Sequence, residues 1–585
     1  MNNYDYDILK TIRINSVVNQ RDLSNATGYS LGTVNKSVKN LMDNGFLTSE
    51  MALTSKARFL INERKPKNAI ILAAGYGMRM VPINTETPKA LLEVNGETLI
   101  ERQIKQLHEK GINKIYVVVG FMKEKLEYLI DDYGVELIVN PEYGIKNNLV
   151  SLFLANKYID NAYVIPSDIY FKDNPFDDIE LYSWYMVIDN EDADSDVRVN
   201  RKKELIRTNK KSIGNSMIGL SYLCSEEASS VRQKLKEYSS DQSYDDSFWE
   251  ETLFVKGKMI TKARVVSSSF AAEINTYEQL RELDSKSEQL KSKTIQVIKD
   301  ALNATSNDIV DIKVLKKGMT NRSFLFSCRG KKYIMRIPGE GTDMLINREE
   351  EAAVYDIIKD KNICDNLIYI NPKNGYKITE YFNESRNCNS EDFDEVRECM
   401  AVLRKFHDMK LKVNHTFDIF KQILFYESLW NGAPSVFKDY NETKEKVFEL
   451  KEYIDKHAKE YSLTHIDAVC DNFLFVRIDG KEQIRLIDWE YAGMQDTDVD
   501  LAMNCIYALY DRKQVEKLIN AYYVEGCSKE TRIKIYCYIA ACGLLWSNWC
   551  EYKRALGVEF GEYALRQYRY AKDYYRIVKE ELNND

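Results

Sequence analysis

The sequence is 585 residues long, enough for three or four domains that each bury a core of their own. Apolar residues make up 44% of it and charged residues 29%, a balance typical of soluble globular proteins. The net charge of -8 excludes a chain that coats nucleic acid or an anionic membrane over its whole surface.

The sequence contains no signal for secretion or membrane insertion. Its start, MNNYDYD, is too acidic and polar for a signal peptide. The longest nearly apolar run, residues 535–546, is too short for a bilayer, which needs about 20 residues, and we predict a buried helix there. The eleven cysteines include no Cys-x-x-Cys pair, which predicts reduced thiols in a cytoplasmic protein.

Residues 1–66 have the apolar spacing of short helices. The apolar positions of three successive helices are Leu9 and Ile12, then Leu23 and Ala26, then Val34, Val38 and Leu41. Gly28 marks the turn before the third helix, Ser30 is its predicted N-cap, and Gly45 follows its end. Residues 46–53 are predicted to form a short wing.

These features resemble a winged helix-turn-helix domain. In that fold the second helix of the helix-turn-helix lies in the major groove of DNA. The resemblance implies that Thr33, Lys36 and Ser37 face outward toward DNA and that Lys39 reaches a phosphate. The segment has nine Lys and Arg residues against six Asp and Glu, a charge of +3 that is modest for a DNA-binding domain. A protein-contact module therefore remains an alternative to DNA binding.

From residue 67 the pattern changes to short apolar runs separated by helices. The runs AIILAAG (69–75), KIYVVVG (114–120) and YVIPSD (163–168) predict buried strands. Helical segments such as residues 100–110 lie between them. This alternation predicts an α/β domain with a parallel sheet covered on both faces.

A glycine-rich turn follows the first of these strands, in LAAGYGMRMVPINTETPKAL (72–91). Ala74 ends the strand, and Gly75 and Gly77 allow backbone N–H groups to approach phosphate oxygens. Arg79 can hold a phosphate through its planar guanidinium, and Lys89 adds a mobile positive charge. These charges suit attack on an α-phosphate, because negative charge accumulates on the transferring group.

This segment resembles the sugar-phosphate nucleotidyltransferases and, among them, the phosphocholine cytidylyltransferases. The resemblance covers residues 67–285 and rests also on IERQIKQLHEKGI (100–112), VVVGFMKEKLEYL (117–129), NPEYGIKNNLVSL (140–152) and SDIYF (167–171). It implies a Rossmann-like fold, CTP and phosphocholine as substrates, and Asp168 as a ligand of Mg²⁺ at the end of a strand.

The segment AEINT (272–276) departs from the family pattern. The family carries a second metal-binding Asp in an E-I-D-like segment, whereas this chain has Asn275. A neutral amide binds Mg²⁺ more weakly than a carboxylate, and Glu273 is the alternative ligand. Trp249, in SFWEE (247–251), matches a family Y-W-D-like segment, which implies that its ring, with Glu250 and Glu251 nearby, receives the quaternary ammonium of the substrate. Packing of Trp249 at the sheet edge is the alternative.

The last block, residues 295–585, contains two motifs of kinases. The segments THIDAVCDNFLF (464–475) and LIDWEYAG (486–493) have the sequence and spacing of a catalytic loop and a metal loop. In this pattern Asp467 accepts the proton of the substrate hydroxyl or orients that hydroxyl, and His465 orients the loop. The predicted Mg²⁺ ligands are Asn472 and Asp488.

The beginning of this block contains further nucleotide-binding candidates. In LKKGMTNRSF (315–324) the small residues predict a loop over the nucleotide, with Thr320 and Asn321 as contacts. The strand YIMRI places Arg336 where protein kinases carry a lysine. Glu351 is the predicted helix partner of Arg336. The neighbouring candidates, Glu349 and Glu350, leave that choice open.

The block resembles the choline/ethanolamine kinases over about residues 300–585. The resemblance implies ATP and choline as substrates and an α+β protein-kinase-like fold, shared with aminoglycoside phosphotransferases. LLWSNW (544–549) and FGEYA (560–564) match the choline-binding aromatics of the family, here Trp546, Trp549, Tyr563 and Phe560. A trimethylammonium group cannot donate N–H hydrogen bonds, so aromatic faces are its natural receptors. Ordinary core packing of these rings is the alternative.

Together these patterns predict a multidomain protein. It comprises a small α-helical winged helix-turn-helix (1–66), an α/β Rossmann-like nucleotidyltransferase (67–285) and an α+β kinase-like domain (295–585). The charged residues 281–300 are either a linker or a connecting helix.

Three functional hypotheses follow from the sequence. The first is a bifunctional, Mg²⁺-dependent enzyme that phosphorylates choline with ATP and couples phosphocholine to CTP. The second is a transcription regulator that senses these metabolites with degenerate enzyme domains. The third keeps the chemistry but replaces choline with ethanolamine or an aminoalkyl phosphonate. The sequence leaves open whether the chain forms a homo-oligomer.

Overall fold

The computed structural model describes residues 1–15, 19–77, 80, 82–83, 87–190, 192–193, 195–208, 213–287, 290, 292–315, 321–339, 345–556 and 560–583. The chain divides into two compact units, Met1–Asp300 and Ala301–Asp585. Within the described ranges, no helix is both long enough and apolar enough to cross a bilayer.

The N-terminal residues form the predicted helices. These are α1 (Asn3–Asn15), α2 (Gln20–Thr27), α3 (Leu31–Asp43) and α4 (Ser55–Glu63). Ser30 caps α3 as predicted, because its side chain accepts a hydrogen bond from the backbone N–H of Thr33. A bridge between Leu47 and Leu53 forms the short wing.

The prediction that Ser37 faces outward is wrong. Its side chain is buried, 3% exposed, on the face of α3 that carries the apolar residues. Ser37 lies three residues after Val34 and next to Val38, and helical geometry directs all three toward the core. Lys36, one residue earlier, is exposed.

The same unit continues into a large mixed sheet. Its elements are β1 (Asn68–Ala73), β2 (Glu93–Val94), β3 (Glu97–Thr98), α5 (Leu99–Glu109), β4 (Ile115–Val119), α6 (Leu129–Tyr133), β5 (Glu136–Val139), α7 (Asn148–Leu154), β6 (Ala162–Pro166), β7 (Ile169–Phe171), β8 (Trp184–Ile188), β9 (Val197–Val199), β10 (Glu204–Arg207), β11 (Met217–Leu223), α8 (Ser225–Tyr238), β12 (Phe254–Val255), β13 (Lys258–Val266), β14 (Ala271–Glu273), α9 (Tyr277–Leu283) and α10 (Lys293–Leu302).

The sheet order is β5-β4-β1-β6-β11-β8-β13-β10-β9. The first four strands are parallel, as the alternation of strands and helices predicted. The sheet is not parallel throughout, because β11 pairs antiparallel to both β6 and β8, and β10 pairs antiparallel to β13. The charged stretch 281–300 contains the end of α9 and most of α10, which agrees with the connecting-helix alternative over residues 293–300.

The second unit has a strand-rich part followed by a helical part. Its elements are β15 (Ile309–Val314), β16 (Asn321–Cys328), β17 (Lys331–Pro338), α11 (Arg348–Ile358), β18 (Leu367–Ile370), β19 (Lys377–Glu380), β20 (Ser385–Asn387), α12 (Phe393–Asp408), α13 (Ile419–Ser428), α14 (Tyr440–His457), β21 (Ser462–Thr464), β22 (Phe473–Ile478), β23 (Lys481–Leu486), β24 (Gly493–Gln495), α15 (Asp498–Tyr507), α16 (Arg512–Tyr522), α17 (Lys529–Ala555) and α18 (Glu562–Asn583).

This unit combines an antiparallel sheet with a helical core. Five strands pair in the order β15-β16-β17-β19-β18, and α11 follows the third of them. The apolar run at residues 535–546 lies inside the 27-residue helix α17 and is almost wholly buried, as predicted. The opposite faces of this helix are covered by α13, α14, α15 and α18, so it is the centre of the helical core.

Candidate active sites

Lys89 is at the centre of the first candidate site. It lies on a short turn of 3₁₀-helix, Lys89–Leu91, that begins after Pro88. Its Nζ atom lies 2.9 Å from Oδ2 of Asp168 and donates a 2.6 Å hydrogen bond to Oδ1 of Asn275. The two positions where the family pattern places metal ligands are therefore adjacent, with one ammonium group between them.

Gly77 connects the glycine turn to this cluster. Its φ of +59° lies in the left-handed region, and a Cβ atom added there would come within 2.6 Å of Cγ of Lys89. The turn therefore lies against the aliphatic stem of Lys89, and only glycine fits both the backbone conformation and the close approach. Gly75 has no such constraint, because a Cβ atom there would meet nothing within 4 Å.

The pairing of β7 with β14 explains why Asp168 and Asn275 meet. Asp168 directly precedes β7, and Asn275 follows β14 by two residues. The backbone N–H of Ile274 donates a 3.0 Å hydrogen bond to the carbonyl oxygen of Asp168. The cluster thus forms just beyond the carboxyl end of β6, the edge at which α/β sheets bind their ligands.

A second polar group in this unit is the carboxylate of Glu250. Tyr185 donates a 3.1 Å hydrogen bond to its Oε1 atom, and among the described residues its buried Oε2 atom has no hydrogen-bond partner. Burial, with the nearby charge of Glu273, raises the pKa of Glu250 to about 7. A carboxylate that lacks a counter-charge is a natural receptor for a cationic group of a ligand.

The catalytic loop of the second unit has the predicted arrangement. Nδ2 of Asn472 donates to the carbonyl oxygen of Asp467 at 2.8 Å and to its Oδ2 atom at 3.0 Å. Burial and the charge of Asp488 raise the pKa of Asp467 well above its ordinary value. A base that binds its proton more strongly is better suited to accept a hydroxyl proton.

His465 stabilises the loop in its neutral form. Burial lowers its pKa to about 4. Its Nδ1 atom faces the backbone N–H of Asp467 at 3.2 Å and must accept from it, so its proton is on Nε2. Nε2 then donates to the carbonyl oxygen of Ile487 at 3.0 Å, which connects the catalytic loop to the metal loop.

Asp500, which no motif in the sequence indicates, holds the same loop through backbone hydrogen bonds. Its fully buried carboxylate accepts backbone hydrogen bonds from His465 at 3.0 Å and Ile466 at 2.6 Å. Nε2 of His407 lies 3.0 Å from the same carboxylate. Ile466 has a φ of +71°, which is costly for a β-branched residue, and Asp500 stabilises that conformation.

Arg336 and Glu351 form a buried bidentate ion pair. Nη1 and Nη2 of Arg336 each donate a 2.6 Å hydrogen bond to one oxygen of Glu351. The choice of Glu351 over Glu349 and Glu350 is therefore correct. Nη1 of Arg336 also lies 3.9 Å from Asp488, so the pair borders the metal loop.

One cleft of about 750 Å³ joins these groups to the aromatic residues. Its lining includes Ile334 and Tyr381 from the strand-rich part of the unit and Asp467, Asn472 and Asp488 from the two loops. It also includes a group of aromatic rings, which we call the aromatic end of the cleft: Tyr491, Tyr507, Trp546, Trp549 and Tyr563. Two edge-to-face contacts, between Trp546 and Tyr491 at 5.9 Å and between Trp546 and Trp549 at 5.4 Å, give these rings different orientations around one space.

Comparison with known proteins identifies the three parts of the chain. Residues 1–48, 69–176 and 312–568 match the models "Winged helix-turn-helix DNA-binding", "MobA-like NTP transferase domain" and "Choline/ethanolamine kinase". A choline-phosphate cytidylyltransferase of Haemophilus influenzae is 32% identical over 177 residues, 30% of this chain and 76% of the relative. The chain belongs to the choline-phosphate cytidylyltransferase family.

Two further relatives extend the comparison. The choline-phosphate cytidylyltransferase of Streptococcus pneumoniae is 46% identical over 125 residues, 21% of this chain and 55% of the relative. The alignment thus spans about half the length of that relative. Protein LicA of Haemophilus influenzae is 26% identical over 263 residues, 43% of this chain and 96% of the relative. This third relative, together with the kinase model match, identifies the second unit as a choline/ethanolamine kinase domain.

The remaining residues predicted for the cytidylyltransferase site differ in their burial and contacts. The carbonyl oxygen of Ala74 accepts a 3.0 Å hydrogen bond from the backbone of Phe121, and Arg79 lies outside the described residues. Trp249 is 1% exposed and packs in an apolar core cluster, which favours a packing role for its ring, and the neighbouring Glu250 carries the polar group described above. Glu273 is exposed on β14, and its role as a metal ligand stays a prediction.

In the kinase domain, Trp549 and Phe560 are in ring contact at 5.1 Å, and Phe560 is not part of the cleft lining. Thr320 and the side chain of Asn321 lie outside the described part of the chain. In the winged helix, Thr33 is half-buried and its Oγ1 lies 2.9 Å from Oγ of Ser30.

Both enzymatic sites have donors that suit a divalent cation. Among the described residues, no group of three or more His, Cys, Asp or Glu side chains forms a complete metal site. Each site instead offers one carboxylate and one amide oxygen, Asp488 with Asn472 and Asp168 with Asn275. Oxygen donors of this kind fit Mg²⁺, whose coordination in such enzymes is completed by nucleotide phosphates and water.

Proposed function

We propose that this chain makes CDP-choline in two consecutive steps. The kinase domain transfers the γ-phosphoryl group of ATP to choline, and the cytidylyltransferase domain joins phosphocholine to CTP and releases pyrophosphate. The observation that carries the proposal is the single cleft in which the kinase loop faces a set of aromatic rings. Its geometry supports one substrate with a hydroxyl at one end and a quaternary ammonium at the other.

In the first step, the aromatic end of the cleft holds the trimethylammonium group and directs the hydroxyl toward Asp467. The raised pKa of Asp467 suits it to take the hydroxyl proton as the oxygen attacks phosphorus. Asn472 and Asp488 would hold Mg²⁺, which supplies positive charge to the phosphate oxygens. Arg336, held by Glu351, adds positive charge beside the same phosphates.

In the second step, a phosphate oxygen of phosphocholine attacks the α-phosphorus of CTP. Lys89 stabilises the negative charge that accumulates there, and the glycine turn offers backbone N–H groups to the phosphates. Asp168 and Asn275 would hold Mg²⁺ at the same site. Glu250 would attract the ammonium group of phosphocholine, since its Oε2 atom has no hydrogen-bond partner among the described residues.

The choice of choline over ethanolamine rests on the aromatic rings of the kinase. A primary ammonium needs hydrogen-bond acceptors in place of lost water, whereas a quaternary ammonium is bound best by aromatic faces. Five aromatic residues line that end of the cleft, and this supports choline as the preferred alcohol. Because ATP and CTP are cytoplasmic metabolites and the cysteines are free thiols, we propose a cytoplasmic location.

The decisive experiment supplies the purified full chain with choline, ATP, CTP and Mg²⁺. We expect CDP-choline, detected by mass spectrometry, and pyrophosphate, detected as phosphate after hydrolysis by added pyrophosphatase. Accumulation of phosphocholine without CDP-choline would contradict the proposed transferase step. The variant Asp467→Ala should lose choline phosphorylation by at least about 100-fold and still convert supplied phosphocholine.

DNA binding by the winged helix is a second proposed activity. The exposed residues of α3 include Lys36 and Lys39, and α3 carries no acidic residue before its last position, Asp43. This face supports contact with the DNA backbone. A gel-shift assay with DNA from upstream of the chain's own coding sequence tests the proposal, with Lys36→Glu as the variant expected to lose binding.

A further inference from the structure

The winged helix is built onto the cytidylyltransferase domain and shares a core with it. Ile179 and Leu181, which precede β8, belong to the same buried apolar cluster as Ile8, Leu9 and Leu23 of the winged helix. Both residues are at most 4% exposed. The winged helix therefore completes its core with residues of the transferase, unlike a module joined only by a flexible linker.

These two residues lie in a segment that we call the strap, residues 172–183, which joins β7 to β8. The strap connects two parts of the transferase site. Asp168 directly precedes β7, and Tyr185, the hydrogen-bond partner of Glu250, lies on β8. The middle of the strap lies against the winged helix. One segment thus contacts the winged helix in its middle and is flanked along the chain by Asp168 and by Tyr185, the partner of Glu250.

Polar contacts reinforce this connection. Oδ1 of Asp7 on α1 accepts a 3.0 Å hydrogen bond from Tyr182 at the end of the strap, and its Oδ2 accepts from Tyr29. Tyr29 directly precedes Ser30, the cap of the helix that would face DNA. Lys10 of α1 lies 2.9 Å from Asp177 of the strap. The hydrogen bonds of Asp7 therefore join the strap to the beginning of α3.

We propose that ligands of the transferase site tighten DNA binding by the winged helix through the strap. This inference rests on the proposed transferase function and on the proposed DNA contact. A nucleotide product bound between Asp168 and Glu250 contacts Asp168, which precedes the strap, and the hydrogen-bond partner of Tyr185, which follows it, and so restricts the motion of the strap. Because the strap completes the core of α1–α3, those helices become more rigid, and a rigid DNA-binding face loses less entropy when it binds.

The test measures the DNA affinity of the full chain by fluorescence anisotropy. The DNA is a labelled duplex from upstream of the chain's own coding sequence, and the affinity is measured both in the presence and in the absence of CDP-choline and Mg²⁺. We expect CDP-choline to tighten DNA binding about five-fold or more. By linkage, DNA should tighten CDP-choline binding by the same factor in calorimetry. We define the coupling ratio as the DNA affinity with CDP-choline divided by the DNA affinity without it. A coupling ratio of one or less, when both ligands are shown to bind, would overturn the inference.

The variant Tyr182→Phe removes the hydroxyl that contacts Asp7 and keeps the ring. This variant should bind CDP-choline alone and DNA alone with wild-type affinity. Its coupling ratio, the DNA affinity with CDP-choline divided by that without it, should fall toward one. Lys10→Gln is a second variant with the same expectation. Tyr158→Phe, a tyrosine stacked on Tyr116 at 3.5 Å, is the matched control and should keep the ratio. An unchanged ratio in both Tyr182→Phe and Lys10→Gln would contradict the assigned route.

Hydrogen exchange of the full chain separates this inference from the two proposals on which it rests. CDP-choline should slow amide exchange in α1–α3 whether or not DNA binds. If CDP-choline binds and exchange in these helices is unchanged, the inference fails while the transferase proposal stands. If DNA does not bind but exchange slows, the DNA proposal fails and the inference on DNA affinity fails with it, whereas the transferase proposal and the connection through the strap stand. If CDP-choline does not bind, the transferase proposal fails and the inference with it.

Discussion

The carboxylate of Glu351 is the common partner of three cations in the kinase unit. Both of its oxygens accept 2.6 Å hydrogen bonds from Arg336. Arg348 lies 3.2 Å from it and Lys377 lies 3.7 Å from it, and the side chain is fully buried. The substitution Glu351→Gln keeps the shape of the side chain, removes its charge and turns an N–H₂ donor toward a guanidinium.

The expected loss of stability follows from these contacts. Removing one partner of a buried ion pair costs about 3–5 kcal/mol. Arg336 keeps Glu490 at 3.6 Å, which favours the lower end, about 3 kcal/mol. Burial by itself would raise the pKa of Glu351, but the nearby cations outweigh this effect and lower the pKa to about 2. Its contribution to stability is therefore fully present above pH of about 4.3 and is lost as the pH falls toward 2.

The assay is denaturant unfolding of the full chain, in which we expect one transition for each of the two compact units. The kinase transition should shift to lower denaturant, whereas the transferase transition should not move. Kinase activity should also require more Mg²⁺, because the released Arg336 can approach Asp488, now 3.9 Å away. Glu349→Gln, at an exposed position two residues earlier on the same helix, is the control. Equal destabilisation by both variants would refute the assigned role of Glu351.

Two further predictions concern the cytidylyltransferase site. Because the pKa of Glu250 is raised to about 7, its carboxylate is charged above that pH, so the KM for phosphocholine should fall up to about ten-fold from pH 6 to pH 8. Glu250→Gln should weaken this pH dependence of the KM. The substrate phosphate titrates in the same way in assays of both proteins, so a difference between their pH profiles reports on Glu250 alone. Equal pH profiles would contradict the role of Glu250. Asn275→Asp replaces an amide ligand by a carboxylate and should lower the Mg²⁺ concentration for half-maximal transferase activity by about ten-fold, with tighter Mn²⁺ binding in paramagnetic resonance. The Mg²⁺ requirement of the kinase in the same protein should stay unchanged, and a transferase requirement that does not move would show that Asn275 lies outside the metal site.

The parts of the sites that were predictable are those in which neighbouring residues in the sequence carry the chemistry. The kinase loops have fixed spacings, so Asp467, Asn472 and Asp488 were identified together and line one cleft. The glycine turn was predicted for the same reason, and the contact of Gly77 with Lys89 explains why that glycine is needed. Local signals of this kind do not depend on tertiary structure.

The features that were not predicted depend on contacts between distant parts of the chain. Asp500 lies in the first turn of a helix, where acidic residues are common. Only the fold shows that its carboxylate accepts a hydrogen bond from the backbone of His465. The raised pKa of Glu250 comes from burial, which the segment SFWEE does not reveal. Nothing in the sequence around Ile179 and Leu181 connects them with residues 1–66, and only the fold shows that they complete the core of the winged helix.

A chain that carries out both steps must recognise the same cation twice, and we propose that the two sites do so by different means. Five aromatic residues line the end of the kinase cleft, whereas the transferase presents the carboxylate of Glu250. Aromatic faces favour a quaternary ammonium, and a carboxylate accepts a primary ammonium at least as well. The kinase should therefore set the specificity of the whole sequence. We expect the choline-to-ethanolamine ratio of kcat/KM in the first step to exceed the phosphocholine-to-phosphoethanolamine ratio in the second.

The residue that tests this asymmetry is Trp546, which is in edge-to-face contact with Tyr491 and Trp549. A desolvated cation–π contact contributes about 2 kcal/mol, so Trp546→Ala should raise the KM for choline about 30-fold and lower the kinase ratio. The KM for ATP and the transferase ratio should be unchanged in the same protein. A transferase that selects against phosphoethanolamine as strongly as the kinase selects against ethanolamine would refute the argument, because a carboxylate alone cannot discriminate in that direction.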